Sequence, residues 1–98
     1  MVCMSLLTET EIQEKLAEFP GWSAESHELK KDFRLKDFVT ALAFVIRVGR
    51  HAEMLGHHPD ILIHGYNKVK FSLSSHDAGG ITDVDFTLAK SIDQEFQA

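Results

Sequence analysis

The 98-residue sequence predicts an α+β fold: a four-stranded antiparallel sheet with three helices packed on one face, in the order αββαββα. Three features of the chain point to it. Two pairs of short segments alternate apolar with polar residues across a turn, which is the pattern of hairpins half-buried against a core. Three further segments repeat apolar residues at helical spacing behind recognisable start signals. The helices interleave with the hairpins instead of separating successive single strands, so the sheet is antiparallel and the helices gather on one side of it.

From the N-terminus, Thr8-Glu9-Thr10-Glu11 has the form of a capping box, Leu7 is placed to staple onto Ile12, and Ile12, Leu16 and Phe19 keep helical spacing until Pro20-Gly21. The segments 22–25 and 29–34 flank the polar turn Ser26-His27-Glu28, with Leu29, Lys31 and Phe33 alternating with Lys30, Asp32 and Arg34. Asp37 caps a long second helix whose stripe is Phe38, Leu42, Val45, Val48, Ala52 and Leu55, and Gly56 marks its end. Val39, Ala43 and Ile46 widen its apolar band beyond what one sheet face needs, which points to a second buried surface and self-association. Residues 60–64 form a third strand, Gly65 a turn, and 66–74 a fourth, in which Val69, Phe71 and Leu73 alternate with Lys68, Lys70 and Ser72. After the loop 75–80, Thr82 caps a last helix bearing Phe86, Ala89, Ile92 and Phe96.

Length and composition restrict the function classes. A chain of this size buries about 60–65% of its unfolded surface, so one domain over residues 1–98 is expected to hold a core without staples. The single Cys3 forms no internal disulfide and suits a reducing, cytoplasmic setting. Fifteen acidic against ten basic side chains leave a net charge of −5, opposed to direct nucleic-acid binding. The N-terminal stretch lacks a positive leader region, and no run approaches the roughly 18 apolar residues of a membrane span.

The chemistry concentrates in Glu53-Met-Leu-Gly-His57-His58-Pro59-Asp60, His76-Asp77 and Thr82-Asp83-Val84-Asp85. Imidazole both gives and takes a proton near neutrality, so three histidines flanked by carboxylates suit a reaction needing both steps. Gly56 ends the long helix and Pro59 stiffens the backbone leading into the strand, which sets His57 and His58 on a constrained connection. As an isolated pair they read more readily as one surface residue and one histidine bonded to backbone than as a site. His76 alters that balance, because its strand pairs with the one beginning after Pro59 and the strand ends can bring the three rings around one hollow. Asp85 is placed as a capping carboxylate or as a site residue, and the two roles are compatible. Glu53, four residues before His57, is positioned to orient an imidazole or to face solvent. Trp22 fits a core position more readily than a ligand platform, and Gly79-Gly80 fit a tight turn as well as a close approach to ligand. A zinc site is disfavoured: adjacent histidines rarely aim both rings at one ion, and there is no His-x-x-x-His or Cys-x-x-Cys.

The chain also resembles the pterin-4a-carbinolamine dehydratases, which include dimerisation cofactors of a homeodomain transcription factor. The resemblance runs through Phe19-Pro20-Gly21-Trp22, Phe33-Arg34-Leu35-Lys36-Asp37-Phe38, Ala41-Leu42-Ala43-Phe44-Val45, Ala52-Glu53, His57-His58-Pro59-Asp60, Tyr66-Asn67-Lys68-Val69, Ser75-His76-Asp77-Ala78-Gly79-Gly80-Ile81-Thr82 and Asp85. It implies removal of water from 4a-hydroxytetrahydropterin to give quinonoid dihydropterin, in support of tetrahydrobiopterin recycling and without metal or organic cofactor. It further implies dimers joined at sheet edges, or tetramers assembled through helices. By resemblance His57, His58 and His76 are the catalytic or pterin-contacting trio. Asp85 supports the site, and Glu53, Trp22, Pro59 and Asp77 stand around it. The family often carries an aromatic, usually Trp, soon after His-His-Pro, whereas this chain has Ile61-Leu62-Ile63-His64-Gly65 before Tyr66. The missing ring removes a stacking contact and bears on substrate preference. Two other readings stay open: a protein-binding module acting through the helix face 38–55, and the same fold with a changed substrate.

Overall fold

The computed structural model describes residues 5–97; Cys3 and the N-terminal stretch before Ser5 lie outside the described residues. Helix α1 (Glu9–Leu16) begins at the expected capping box, with Thr8 Oγ1 accepting from Glu11 N–H and the Glu11 carboxylate accepting from Thr8 N–H. It stops at Leu16, earlier than Pro20-Gly21. Phe19 sits in the following turn and meets Phe86 edge-on at 5.1 Å.

Strands β1 (Ser23–Glu25) and β2 (Glu28–Arg34) make the first hairpin, and β3 (Asp60–His64) and β4 (Lys68–Leu73) the second. All pairings are antiparallel, in the order β1-β2-β4-β3. Helix α2 (Phe38–Leu55) starts at Asp37, whose side chain accepts from Thr40 N–H, and ends at Gly56 with φ 64° and ψ 30°. That left-handed conformation is one glycine adopts at little cost, and it turns the chain sharply off the helix. Helix α3 (Asp83–Gln97) follows Thr82, whose Oγ1 accepts from Val84 N–H.

Alternation along the strands buries Leu29, Phe33, Val69, Phe71 and Leu73 on one sheet face, where they meet Ile12 of α1, Phe44 and Val48 of α2, and Phe86, Leu88 and Ile92 of α3. Phe33 packs on Phe44, Phe71 and Phe96 with ring centroids 4.9–5.7 Å apart. Lys31 occupies an inward register position and is satisfied there by Asp93, 2.9 Å away, and by the carbonyl of Pro20.

The buried stripe of α2 agrees with the predicted one at Val48 and Ala52, with Val45 partly buried against the core, and departs from it elsewhere. Ala41, Phe44, Val48 and Ala52 are buried, while Phe38, Leu42 and Leu55 are exposed. A helix apolar on most sides has no unique inward phase until its neighbours are placed, and the sheet and α3 select the Phe44 side. Val39 and Ile46 are left 73% and 66% exposed on the opposite side.

Candidate active site at one end of the sheet

The strand registers collect the predicted residues at one end of the sheet. β3 opens at Asp60 opposite Ser72 of β4, and β4 closes at Leu73 opposite Leu29 near the start of β2. The connection His57-His58-Pro59, the segment leaving β4 towards His76, and the β1–β2 turn therefore lie along the same end. The loop after β4 is drawn closed by paired Ser75 and Gly80, with Ser75 N–H donating to the Gly80 carbonyl at 2.8 Å. Gly79 has φ 82°, and a Cβ on Gly80 would meet Leu6 Cδ2 at 3.0 Å, so both glycines serve the turn and its packing.

Asp85 is the centre of the best-defined polar cluster. It is fully buried, and its carboxylate accepts from Thr82 N–H (2.9 Å), Ser75 Oγ–H (3.0 Å) and His57 Nε2–H (2.6 Å). The capping role and the histidine-supporting role thus coincide in one residue. Thr82 Oγ1 lies 2.7 Å from Ser75 Oγ; since Ser75 spends its proton on Asp85, Thr82 donates to Ser75. A carboxylate only accepts, so the network also fixes the proton of neutral His57 on Nε2 and leaves Nδ1 with its lone pair. Among the described residues no side-chain nitrogen or oxygen is sealed in without a partner, and His57 Nδ1 has no protein partner; this atom of a ring only 9% exposed therefore meets solvent. His57 is accordingly an imidazole clamped through Nε2, with Nδ1 open to solvent.

His58 is arranged differently. Its Nε2 bonds the Glu53 carboxylate, reaching back over the end of α2, and the two side chains are 63% and 78% exposed. Glu53 thus orients His58, not His57. The pair borders an open, largely apolar hollow of about 620 Å³ walled by Ile46, Ala52, Met54, Pro59 and Ile61, with Arg50 at its edge. His76 is exposed and borders another hollow, of about 250 Å³, together with Ser26, His27, Glu28, Ser74, Gly79 and Gly80. The three imidazoles share one end of the sheet, but His58 and His76 open onto different hollows instead of the single one expected from the sequence. The reason is local: Pro59 and the left-handed Gly56 point the two adjacent rings in different directions, one to Asp85 and one to Glu53.

Trp22 is buried, packs on Phe33 at 6.2 Å and donates Nε1–H to Asp93, so its ring is occupied by the core and offers no ligand platform. Asp77 is exposed in the loop after β4. His64 bonds Asp32, and His51 bonds Glu95. Arg47 joins the latter pair, and the Glu95 carboxyl is held below its usual range chiefly by the hydrogen bond from His51. Among the described residues no three His, Cys, Asp or Glu side chains are grouped to hold a metal ion. No helix among them is long and apolar enough to cross a membrane. Two residues of the site, Ser75 in the Asp85 cluster and His27 beside His76, were not expected from the sequence. Ser75 carries no pattern of its own, and His27 reads as a turn residue, whereas the spacing Thr82-x-x-Asp85 did signal the capping half of the cluster.

Comparison with known proteins agrees with this architecture. Residues 5–95 match the family model described as pterin 4 alpha carbinolamine dehydratase. A relative from Chloroflexus aurantiacus, provisionally named a pterin-4-alpha-carbinolamine dehydratase, is 52% identical over 91 residues, covering 93% of this chain and 97% of the relative. One of the same provisional name from Roseiflexus castenholzii is 49% identical over 90 residues, covering 92% of this chain and 96% of its own. The crystal structure of a transcriptional coactivator/pterin dehydratase from Brucella melitensis superposes with a TM-score of 0.86 at 33% identity, covering 91% of this chain and 96% of that one. A family model spanning nearly the whole chain, relatives near half identity at full length and a matching solved fold place this chain in the pterin-4a-carbinolamine dehydratase family of hydro-lyases.

Proposed function

We propose that the chain dehydrates a 4a-hydroxytetrahydropterin to the quinonoid dihydropterin by imidazole acid–base catalysis at this end of the sheet, in support of tetrahydrobiopterin recycling. In that reaction the C4a–O bond breaks as the departing oxygen takes a proton and leaves as water. A ring-nitrogen proton is lost, and its electron pair completes the new C=N bond. Both halves are proton transfers, so correctly held imidazoles suffice and the reading calls for no metal or organic cofactor. The observation that carries it is the pairing of two adjacent histidines with two different carboxylates, His57 with Asp85 and His58 with Glu53, beside a third, exposed histidine. His57, buried and clamped, acts as the substrate anchor or shares the acid role. His58 and His76, with exposed rings, are the proton-transfer pair. Pro59 shapes the connection, Asp77 is a loop neighbour of His76, and Ile61 in place of an aromatic leaves pterin preference to the remaining walls.

The test is the rate of 4a-carbinolamine dehydration by the purified chain, followed spectroscopically. Acceleration over buffer and a loss of at least about 100-fold in His76→Ala, with melting unchanged, are the expected results. No acceleration, or a His76→Ala variant equal to its parent, overturns the reading.

Self-association is proposed on a separate observation. Val39, Leu42, Ile46 and Met54 expose apolar surface along α2, and Ile61 and Leu62 do so on β3, an edge strand with an unpaired side. A homodimer through the strand edge would cover the β3 surface, and a homotetramer assembled through the helix would cover the α2 surface. A partner protein on the same α2 face is the second reading, favoured by the coactivator name of the Brucella structure. Light scattering of the isolated chain separates them, since a monomer would favour the partner. A cytoplasmic setting fits the sparse cysteine content.

A further inference from the structure

Four of the six histidines are hydrogen-bonded to carboxylates: His51 to Glu95, His57 to Asp85, His58 to Glu53 and His64 to Asp32. The two whose rings carry no partner among the described residues, His27 and His76, border the same hollow of about 250 Å³. We propose that His27 is a substrate-contacting residue of the same site, presenting a second hydrogen-bonding imidazole to the ligand edge that enters beside His76. This rests on the pterin-dehydratase reading and adds to it a residue from a different hairpin.

The backbone supports the assignment independently. The β1–β2 turn has two residues, Ser26 and His27, with φ of 53° and 65°. A two-residue turn with both φ values positive is the form that Asn-Gly or Asp-Gly takes easily. A side chain at the second position is held against that preference, which is the kind of local strain that accumulates where a side chain is used. The retained side chain is an imidazole facing the cavity of an unpaired imidazole. Ser26, Glu28 and Ser74 border the hollow too, with the Glu28 carboxylate 3.6 Å from Lys30 Nζ, and the two imidazoles are its ring groups able both to donate and to accept a hydrogen bond. A cavity of this volume falls below the roughly 300–1,000 Å³ of whole-ligand pockets, and so suits one polar edge of a bicyclic ring, with the remainder lying outwards across the sheet end.

The test replaces His27 by glycine, which the turn accepts better than histidine, so loss of folding is not at issue. The expected result for His27→Gly is a melting temperature at or above that of the parent with kcat/KM for the 4a-carbinolamine lowered about tenfold, the loss falling mainly on KM, as for one lost hydrogen bond. His27→Asn, which tolerates the left-handed turn and keeps a donor, recovers part of the loss. An active parent with a His27→Gly variant within twofold of it overturns the role of His27 alone. A loss accompanied by a matching fall in melting temperature also overturns it, in favour of a structural role. A parent without activity overturns the pterin reading and this inference with it.

Discussion

Replacing Asp85 by Asn probes the cluster that holds His57 with almost no change of shape. In the native arrangement three donors converge on the carboxylate: Thr82 N–H and Ser75 Oγ–H on one oxygen and His57 Nε2–H on the other. An amide oxygen can serve the first two, but its NH2 then faces His57 Nε2. Two donors cannot share that 2.6 Å contact, so the ring must move its proton to Nδ1 and accept through Nε2. A charge-assisted bond worth about 1.5–3 kcal/mol is exchanged for a neutral one worth about 0.5–1.5, a net cost of about 1–2 kcal/mol. For a chain of this length that lowers Tm by roughly 5–15 °C. Asp85→Ala removes all three acceptor contacts in a fully buried place and should cost about 3–5 kcal/mol, because each orphaned donor carries its own desolvation penalty. Thermal denaturation followed by circular dichroism reads the stabilities, and ring-nitrogen NMR shifts of His57 read the tautomer. The proposed anchoring role of His57 also predicts that catalysis falls more than stability, since Nδ1 changes from an acceptor to a donor towards the substrate. An Asp85→Asn protein with unchanged Tm, or one whose His57 still carries its proton on Nε2, would refute this picture of the cluster.

Two other perturbations test how the site is positioned. Gly56→Ala meets no atom within 4 Å, so its penalty is purely conformational, about 1 kcal/mol for a left-handed residue; urea denaturation should report that loss together with weakened turnover, because Gly56 aims the His57-His58 connection. Glu95, held below its ordinary value of 4.5 chiefly by the His51 hydrogen bond, contributes stability that is present above about pH 4.5 and lost as pH falls through its lower folded value. Acid titration of Tm in the parent and in Glu95→Gln should therefore diverge above that pH and converge below it.

Much of the frame was legible in the residues, for reasons that differ by element. Thr8 with Glu11, Asp37 and Gly56 announced helix ends because capping is local chemistry, and each acts as expected. The strands 28–34 and 68–73 were visible because period-2 alternation survives any change of neighbour. The inward phase of α2 was legible only in part: Val48 and Ala52 are buried as expected, but Phe38, Leu42 and Leu55 are as apolar as Ala41 and Phe44, and only the packed sheet decides between them. The same limit applies to the site. The spacing of His57, His58, His76 and Asp85 singled out groups that gather at one end of the sheet, but not that Asp85 clamps His57 while Glu53 takes His58. Nor did it reveal that His27 stands with His76, because that proximity is created by the pairing of β2 with β4.

Whether the imidazoles at the sheet end handle a pterin is decided by a crystal of the protein soaked with a stable oxidised pterin. Ring density is expected across the end of the sheet, between the connection 57–59 and the loop 74–80, within hydrogen-bonding distance of His57 Nδ1 or the rings of His58 and His76. Pterin bound elsewhere on the molecule, with those three rings still facing solvent, would overturn the assignment of the site.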